Sequence, residues 1–345
     1  MKTEVTMLFE ILEQVVGTSK SEELFQSLHI PSSVNSDQGT GVSRAVLAQA
    51  LNMLLFADLL ERVPAAKIYV AHCLQSGAKV THDHGAVRTV AMEGMGQLPA
   101  GQAAITRILE PLGYRVNGLY PLEKLRMTGR SWAQADDKEG IAQFFLSELH
   151  PERFSPKFQQ TVRCVTGTSS DPLTPRSVEL LAIVRAEGSL SLREAVELLP
   201  VMVSCFARQH QEPALSDYEL LQSESAEMAW ISTEGNAFNH VTDRVEDVDR
   251  LSDEQKALGQ PMKAVVEKSQ SGRVRQTAFL AARVRREFRT PEGTITKEVP
   301  GSFLEFITRL PMPDGAALDL SFDSSNAQAI FKMTADAAPG GNAKI

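Results

Sequence analysis

Positive charge is in deficit along this chain. Lys and Arg number 35 against 43 Asp and Glu, for a net charge of −8 and a pI near 5.5. An acidic surface repels phosphate, so neither nucleic acid nor an anionic membrane is expected as a partner. Long apolar runs are missing too. The most apolar helical stretch is broken by Asn52, Asp58 and Glu61, short of the ~20 apolar residues a spanning helix needs. The N-terminus carries Glu4, Glu10 and Glu13 where a secretory leader would be basic. Cys73, Cys164 and Cys205 are odd in number, far apart and never spaced as Cys-x-x-Cys. That argues against a disulfide framework and leaves reduced packing thiols in a cytoplasmic protein. No Gly-x-Gly-x-x-Gly follows a strand, so a dinucleotide site of the usual kind is not expected.

What is present begins with helical periodicity. Val5, Leu8, Phe9, Leu12, Val15 and Val16 mark a helix ended by Gly17. A second helix covers about 21–28, and a polar loop runs from Pro31 to Gly41. Ser43 caps a long helix to about Arg62, and after Pro64 a further helical segment runs to Leu74. This layer, residues 1–76, reads as packing, His72 included. From 77 to 150 the order is β-α-β-β-β: strand 79–92, helix 101–112, then strands 114–120, 125–133 and 141–149. Residues 151–230 turn helical, with Thr174-Pro175 and the Ser191-to-Glu194 capping box as helix starts. The acidic balance argues against a DNA-reading helix pair around Gly188. Across 231–333 the β-α-β-β-β order returns: strand 238–245, helix 248–258, and strands 263–267, 276–288 and 302–310. A tail at 334–345, rich in Ala and Gly, is expected to be disordered. The expected fold is α+β, two β-α-β-β-β modules side by side as one concave sheet. An N-terminal helical layer and a helical insertion complete it.

The chemistry gathers on the strand Thr81-His82-Asp83-His84-Gly85-Ala86-Val87-Arg88. Alternation puts His82, His84, Ala86 and Arg88 on one face. Two imidazoles and a guanidinium make poor core, so the face is either solvated or lines a polar cavity for a metal and an anion. The second module repeats the spacing. His84 precedes Glu148 by 64 residues and His240 precedes Glu305 by 65. Side-by-side modules would bring His84, His240, Glu305 and, as a fourth candidate, Glu148 to one cavity. Two imidazoles with one carboxylate and open positions suit non-haem Fe(II), while four ligands suit a metal-dependent lyase or isomerase. The residues alone leave that choice open.

Three segments together, His84-Gly-Ala-Val-Arg88, Asn239-His240-Val-Thr242 and Phe303-Leu-Glu305-Phe-Ile-Thr-Arg309, resemble the 2-oxoadipate dioxygenase/decarboxylase (hydroxyglutarate synthase) family. That family is a branch of the vicinal oxygen chelate superfamily, and the likeness covers roughly residues 40–320. The resemblance implies Fe(II) held by His84, His240 and Glu305, and Arg88 bound to a substrate carboxylate. It also implies that Gln276, in Ser271-Gly-Arg-Val-Arg275-Gln276, contacts substrate. The implied reaction joins 2-oxoadipate, or a similar 2-oxo acid, and O2 to give 2-hydroxyglutarate and CO2, a step of lysine catabolism. Longer members of the family carry a further C-terminal region that contributes to the pocket. Two other readings stand beside this one. The first is a glyoxalase-like lyase or isomerase using Zn(II) or another divalent ion, with Glu148 or Glu305 as base. The second is a cup of the same fold that binds a small ligand without turnover.

Overall fold

The computed structural model describes residues 6–35, 41–315 and 317–324; Val5 and the tail expected to be disordered lie outside them. Helix boundaries follow local chemistry. Thr6 caps Met7–Val16 by accepting from the Phe9 amide, and Gly17 ends it at φ 83°, a conformation that suits glycine. The next helix, Thr18–Ser27, starts earlier than its apolar pattern suggests, and a short helix at Ser32–Asn35 occupies part of the expected loop. Ser43 caps Arg44–Arg62, and Pro64 opens Pro64–Gln75. Arg44–Arg62 is buried nearly all round, because it lies between the other helices and the sheet. No helix among the described residues is long and apolar enough to cross a membrane.

The sheet is α+β in the expected sense: two modules joined into one curled, eight-stranded half-barrel. Its strand order is Tyr114–Leu122, Met127–Gln134, Gln143–Leu149, His82–Val90, His240–Arg244, Phe303–Arg309, Val274–Ala278 and Glu267–Lys268. In each module the first strand pairs in parallel with the last, and the two first strands meet antiparallel at the centre. An internal twofold relation follows. It exchanges His84 with His240 and Ala86 with Thr242, since His84 pairs with Thr242 and Ala86 with His240. The helices Ala103–Leu109 and Val248–Ala257 supply the crossovers.

The second module departs from the expected strands. The stretch read as one strand over 276–288 is two. Val274–Ala278 stays in the sheet, whereas Arg283–Thr290 leaves it to pair with Gly293–Pro300, which sequence reading missed. The strand expected over 263–267 shrinks to Glu267–Lys268. The exposed, charge-rich alternation Arg283-Val-Arg-Arg-Glu marks an arm wet on one side, which periodicity alone does not distinguish from an edge strand of the main sheet.

A bulge corrects the central strand. His82 pairs with Asp243 and His84 with Thr242, so one extra residue sits between these pairs and the alternation resets. His82 therefore does not share the His84 face. It packs in the core against Phe56 and Phe238, with ring centroids 5.5 and 6.4 Å away. The same reset places Asp83 beside His84. Gly85 follows because the tip of the Phe238 ring abuts the strand there, and any Cβ would overlap it.

Candidate active site

The bulge, the twofold and the parallel strand pairs bring three of the four candidate ligands together. Donor atoms of His84, His240 and Glu305 lie within 4.8 Å of one another, all buried. Glu305 Oε2 is 3.2 Å from His84 Nε2 and 3.6 Å from His240 Nε2. The other ring nitrogens are occupied from behind. His84 Nδ1 bonds Asp83 at 2.8 Å, and the Asn239 amide lies 3.0 Å from His240 Nδ1. A metal at Nε2 requires the proton on Nδ1, which the amide accommodates with its oxygen turned to the ring. Glu305 is clamped at both oxygens: Thr242 Oγ1 donates to Oε2 at 2.7 Å and Gln276 Nε2 to Oε1 at 3.1 Å. Gln276 thus stands at the cavity wall with its amide engaged by Glu305.

Glu148 is not part of the cluster. It pairs with Thr89, on the opposite face from Ser147, which lines the cavity. Its carboxylate accepts from the Gln102 amide at 2.7 Å and from Arg130 at 3.2 Å. The twofold gives the reason. Glu305 sits opposite Thr242, and Phe145 sits opposite Ala86, so Phe145 is the counterpart of Glu305, three residues before Glu148. The near-equal sequence spacing arose from loops of different length.

Sequence reading gave no role to the second layer. Arg309 is wholly buried and grips Asp83 through Nε at 2.9 Å and Nη2 at 2.9 Å. Its Nη1 donates to the carbonyls of Asp319 and Ser321, both at 2.8 Å. That holds the 317–324 segment over the cavity and seats Phe322 with its ring 4.7 Å from His84 and 4.9 Å from Phe145. The cavity is small, about 20 Å³, and is lined by His84, His240, Glu305, Gln276, Asn239, Ala86, Phe145, Ser147, Phe322 and Asp323. Arg88 is fully buried, 4.8 Å from the Trp230 ring centroid, and is not one of the lining side chains. Its cross-strand neighbour Ser147 does line the cavity, and its charge is felt at His240.

Electrostatics suit a cation at this point. Burial drives the His240 imidazole down to about 3, with the charges of His84 and Arg88 adding to it against Glu305, so it is neutral. Burial also opposes charge on His84, but its bonds to Asp83 and Glu305 outweigh that and raise it. Burial opposes the Glu305 anion, yet the two histidines and Thr242 hold its carboxyl below the usual range. An anionic carboxylate between two imidazoles, one neutral and one holding a proton in the metal-free state, is a set that a divalent metal can complete by displacing that proton.

Buried neutral imidazoles also forecast acid sensitivity. His82 and His240 are pushed down to about 3 and His210 to about 4, burial being the main cause in each. The unfolded chain takes up these protons below about pH 6.5 while the folded protein does not, so stability falls as pH drops from there toward 4. Asp243 runs the other way: burial lifts it to about 6, so its contribution is present in acid and lost as pH rises through that value. His84 is protonated in both states across this window. The net is two imidazoles' worth, about 3 kcal/mol lost per pH unit between 6 and 5; below that the depressed carboxyls of Glu305 and Asp83 add to the loss. Urea unfolding of the metal-free protein at pH 6 and pH 5 checks this; an unchanged midpoint contradicts it.

The model of the 2-oxoadipate dioxygenase/decarboxylase family matches residues 56–334. A relative from Arabidopsis thaliana, named 2-oxoadipate dioxygenase/decarboxylase, chloroplastic, is 24% identical over 283 residues, which is 74% of this chain and 68% of the relative. Among solved structures, a Ralstonia eutropha JMP134 protein assigned by its name to the glyoxalase superfamily is 53% identical. It superposes with a TM-score of 0.89 over 92% of this chain and 98% of its own. The hydroxyglutarate synthase of Oryza sativa, solved in complex with 2-oxoadipate, shares the fold at 19% identity, with a TM-score of 0.66 over 87% of this chain and 97% of its own.

Proposed function

This chain belongs to the 2-oxoadipate dioxygenase/decarboxylase family, and from that premise we propose that it is a cytoplasmic non-haem Fe(II) enzyme acting on 2-oxoadipate or a similar 2-oxo acid. In the proposed reaction the C1–C2 bond breaks and C1 leaves as CO2. One atom of O2 completes the new carboxylate at C2 and the other becomes the hydroxyl at C3, giving 2-hydroxyglutarate. The observation that carries the reading is the three-membered donor set His84, His240 and Glu305, with Phe145 at the twofold position where a fourth ligand would stand. Two imidazoles and a carboxylate with open positions are the preference of Fe(II) in oxygenases. Bound there, the metal would supply a Lewis acid and an electron relay to O2.

The protein's own part is positional. Asp83 and Asn239 fix the two imidazoles from behind, and Thr242 and Gln276 hold both oxygens of Glu305. Phe145, Ala86 and Phe322 keep water from the reacting carbons. Arg88 is the proposed countercharge to a substrate carboxylate: it stands outside the cavity lining, fully buried and paired with Ser147, and burial lowers its value only to about 10, so it stays charged. Arg88→Lys keeps the charge but loses the planar fork. The expected result is a KM for 2-oxoadipate raised about ten-fold or more with metal content unchanged; unaltered kinetics would remove Arg88 from the site. The reading as a whole is tested by loading the protein with Fe(II) under argon and screening 2-oxo acids in an oxygen electrode. Oxygen uptake should need iron and no added co-substrate. Turnover that proceeds equally without oxygen favours a glyoxalase-like lyase, the reading that the name of the Ralstonia eutropha relative brings to mind.

A further inference from the structure

The cavity is too small for the molecule that the proposed function places in it. About 20 Å³ holds one water or one ion, and a 2-oxo dicarboxylic acid needs many times that. The room has to come from a wall that can move. Seven of the ten lining residues stand on strands of the eight-stranded sheet. Asn239 is fixed to that sheet as well: its amide bonds the Ala86 carbonyl at 3.0 Å, and its carbonyl accepts from the Phe303 amide at 3.1 Å. The remaining two, Phe322 and Asp323, belong to no strand or helix. Their segment is tied down by side chains rather than by a ladder. The Leu320 carbonyl accepts from Gln143 at 3.4 Å, the Ser321 carbonyl accepts from Arg309 at 2.8 Å, and the Phe322 amide donates to Tyr120 Oη at 3.2 Å. The Phe322 ring meets His84 and Phe145 on its inner side yet is only half-buried, so solvent reaches its outer side. Asp319, just before this span, is buried and anchored more firmly. Its amide bonds the Leu310 carbonyl at 3.0 Å, its carbonyl takes Arg309 at 2.8 Å, and its carboxylate meets Arg273 at 3.3 Å.

We propose that residues 320–323 are a gate over the cavity, hinged at Asp319, and that Phe322 leaves its seat against His84 and Phe145 whenever a ligand larger than water enters. Arg309 is the catch. Its Nε and Nη2 stay on Asp83, so opening breaks only the Nη1 bond to the Ser321 carbonyl, and the aspartate that orients His84 does not move. His84, His240 and Glu305 keep their mutual geometry through the swing, because none of them is on the moving span. The closed form is the resting one because Ala86, Tyr120 and Phe145 give the Phe322 ring an apolar seat. The hydrogen bonds given up on opening are few, and water replaces them. The gate rests on the proposed function only for the identity of the molecule admitted.

The test has one arm without ligand and one with it. Hydrogen exchange of the metal-free wild type compares the Phe322 amide with the amides of the central strand His82–Val90. Local opening should let the Phe322 amide exchange at least about a hundred-fold faster than the strand. Equal protection would mean that the span opens only when the whole fold does, and overturns the gate. In the second arm, the Fe(II)-loaded protein is mixed with 2-oxoadipate under argon in a stopped-flow instrument. Binding is followed by the visible absorbance that a 2-oxo acid gives on Fe(II). In the wild type the observed rate should be held down by opening and level off at high concentration. Phe322→Ala, which removes the ring from the mouth, should bind at least about ten-fold faster. Tyr120→Phe, which removes only the acceptor for the Phe322 amide, should shift the rate the same way by less, and it stands in if Phe322→Ala misfolds. Association at the same rate in wild type and in the folded variants overturns the gate. If no absorbance develops with any 2-oxo acid while the exchange contrast holds, the proposed function falls and the gate stands.

Discussion

Glu305→Gln is expected to lower Fe(II) affinity by more than about a hundred-fold while leaving the protein folded. Changes one layer outside a metal site already cost about 10- to 100-fold, and this one removes the only anion among the three donors. The amide is the same size, so Thr242 and Gln276 keep their places around it. The fold is retained because the cost is local: no cavity opens, and the imidazole of His240 is already neutral. Metal content by elemental analysis after anaerobic loading, with circular dichroism as the fold control, reads both halves. Glu148→Gln is the matching control. Its carboxylate serves the Gln102 amide and Arg130 on the far face, so the variant should keep full metal. A Glu305→Gln protein with full iron occupancy removes Glu305 from the ligand set. Loss of iron in Glu148→Gln alone would point to a four-ligand site.

Arg309→Met should be the most damaging single change for stability. It leaves Asp83 ionised and buried with its bidentate partner gone; breaking a buried pair on one side costs about 3–5 kcal/mol. It also strands the carbonyls of Asp319 and Ser321. Against a total stability of about 5–15 kcal/mol this is a large share. Two further effects are expected: Asp83 loses the grip that orients His84, and the segment carrying Phe322 comes loose. Iron affinity should therefore fall about ten- to a hundred-fold on top of the lower urea midpoint. The double variant Asp83→Asn/Arg309→Met separates the causes. Removing the orphaned charge should recover stability relative to Arg309→Met alone, while metal affinity stays low. A single variant as stable as wild type would mean that the pair contributes nothing to the fold.

The residues that sequence reading found best were those whose order along the chain reflects the fold directly. His84 and His240 each open a module, and the parallel pairing of first and last strands makes the position of Glu305 relative to His240 a consequence of topology. The α+β class and the paired modules were legible for the same reason. Glu148 was misplaced because a count of residues does not see which loop holds the extra ones; Phe145 is the true counterpart of Glu305. His82 was misplaced because one residue of bulge reverses every inference from alternation, and nothing in the residue types announces it. Asp83 and Arg309 are 226 positions apart, so their pairing is a property of the assembled sheet. The Phe322 segment has no strand or helix periodicity, being held by backbone carbonyls that any sequence possesses. A bidentate arginine on the aspartate beside a candidate ligand histidine was the one available signal, and it needed the fold to be read.

The most direct test of the central claim is the fate of oxygen in a reaction run under 18O2 with Fe(II)-loaded protein and 2-oxoadipate, no co-substrate added. The hydroxy acid and CO2 are analysed by mass spectrometry alongside total oxygen uptake. The account predicts one CO2 released per O2 consumed and label in the hydroxy-acid product, one atom in the new carboxylate and one in the hydroxyl. CO2 release or product formation that continues without oxygen, or a product free of label, would contradict it.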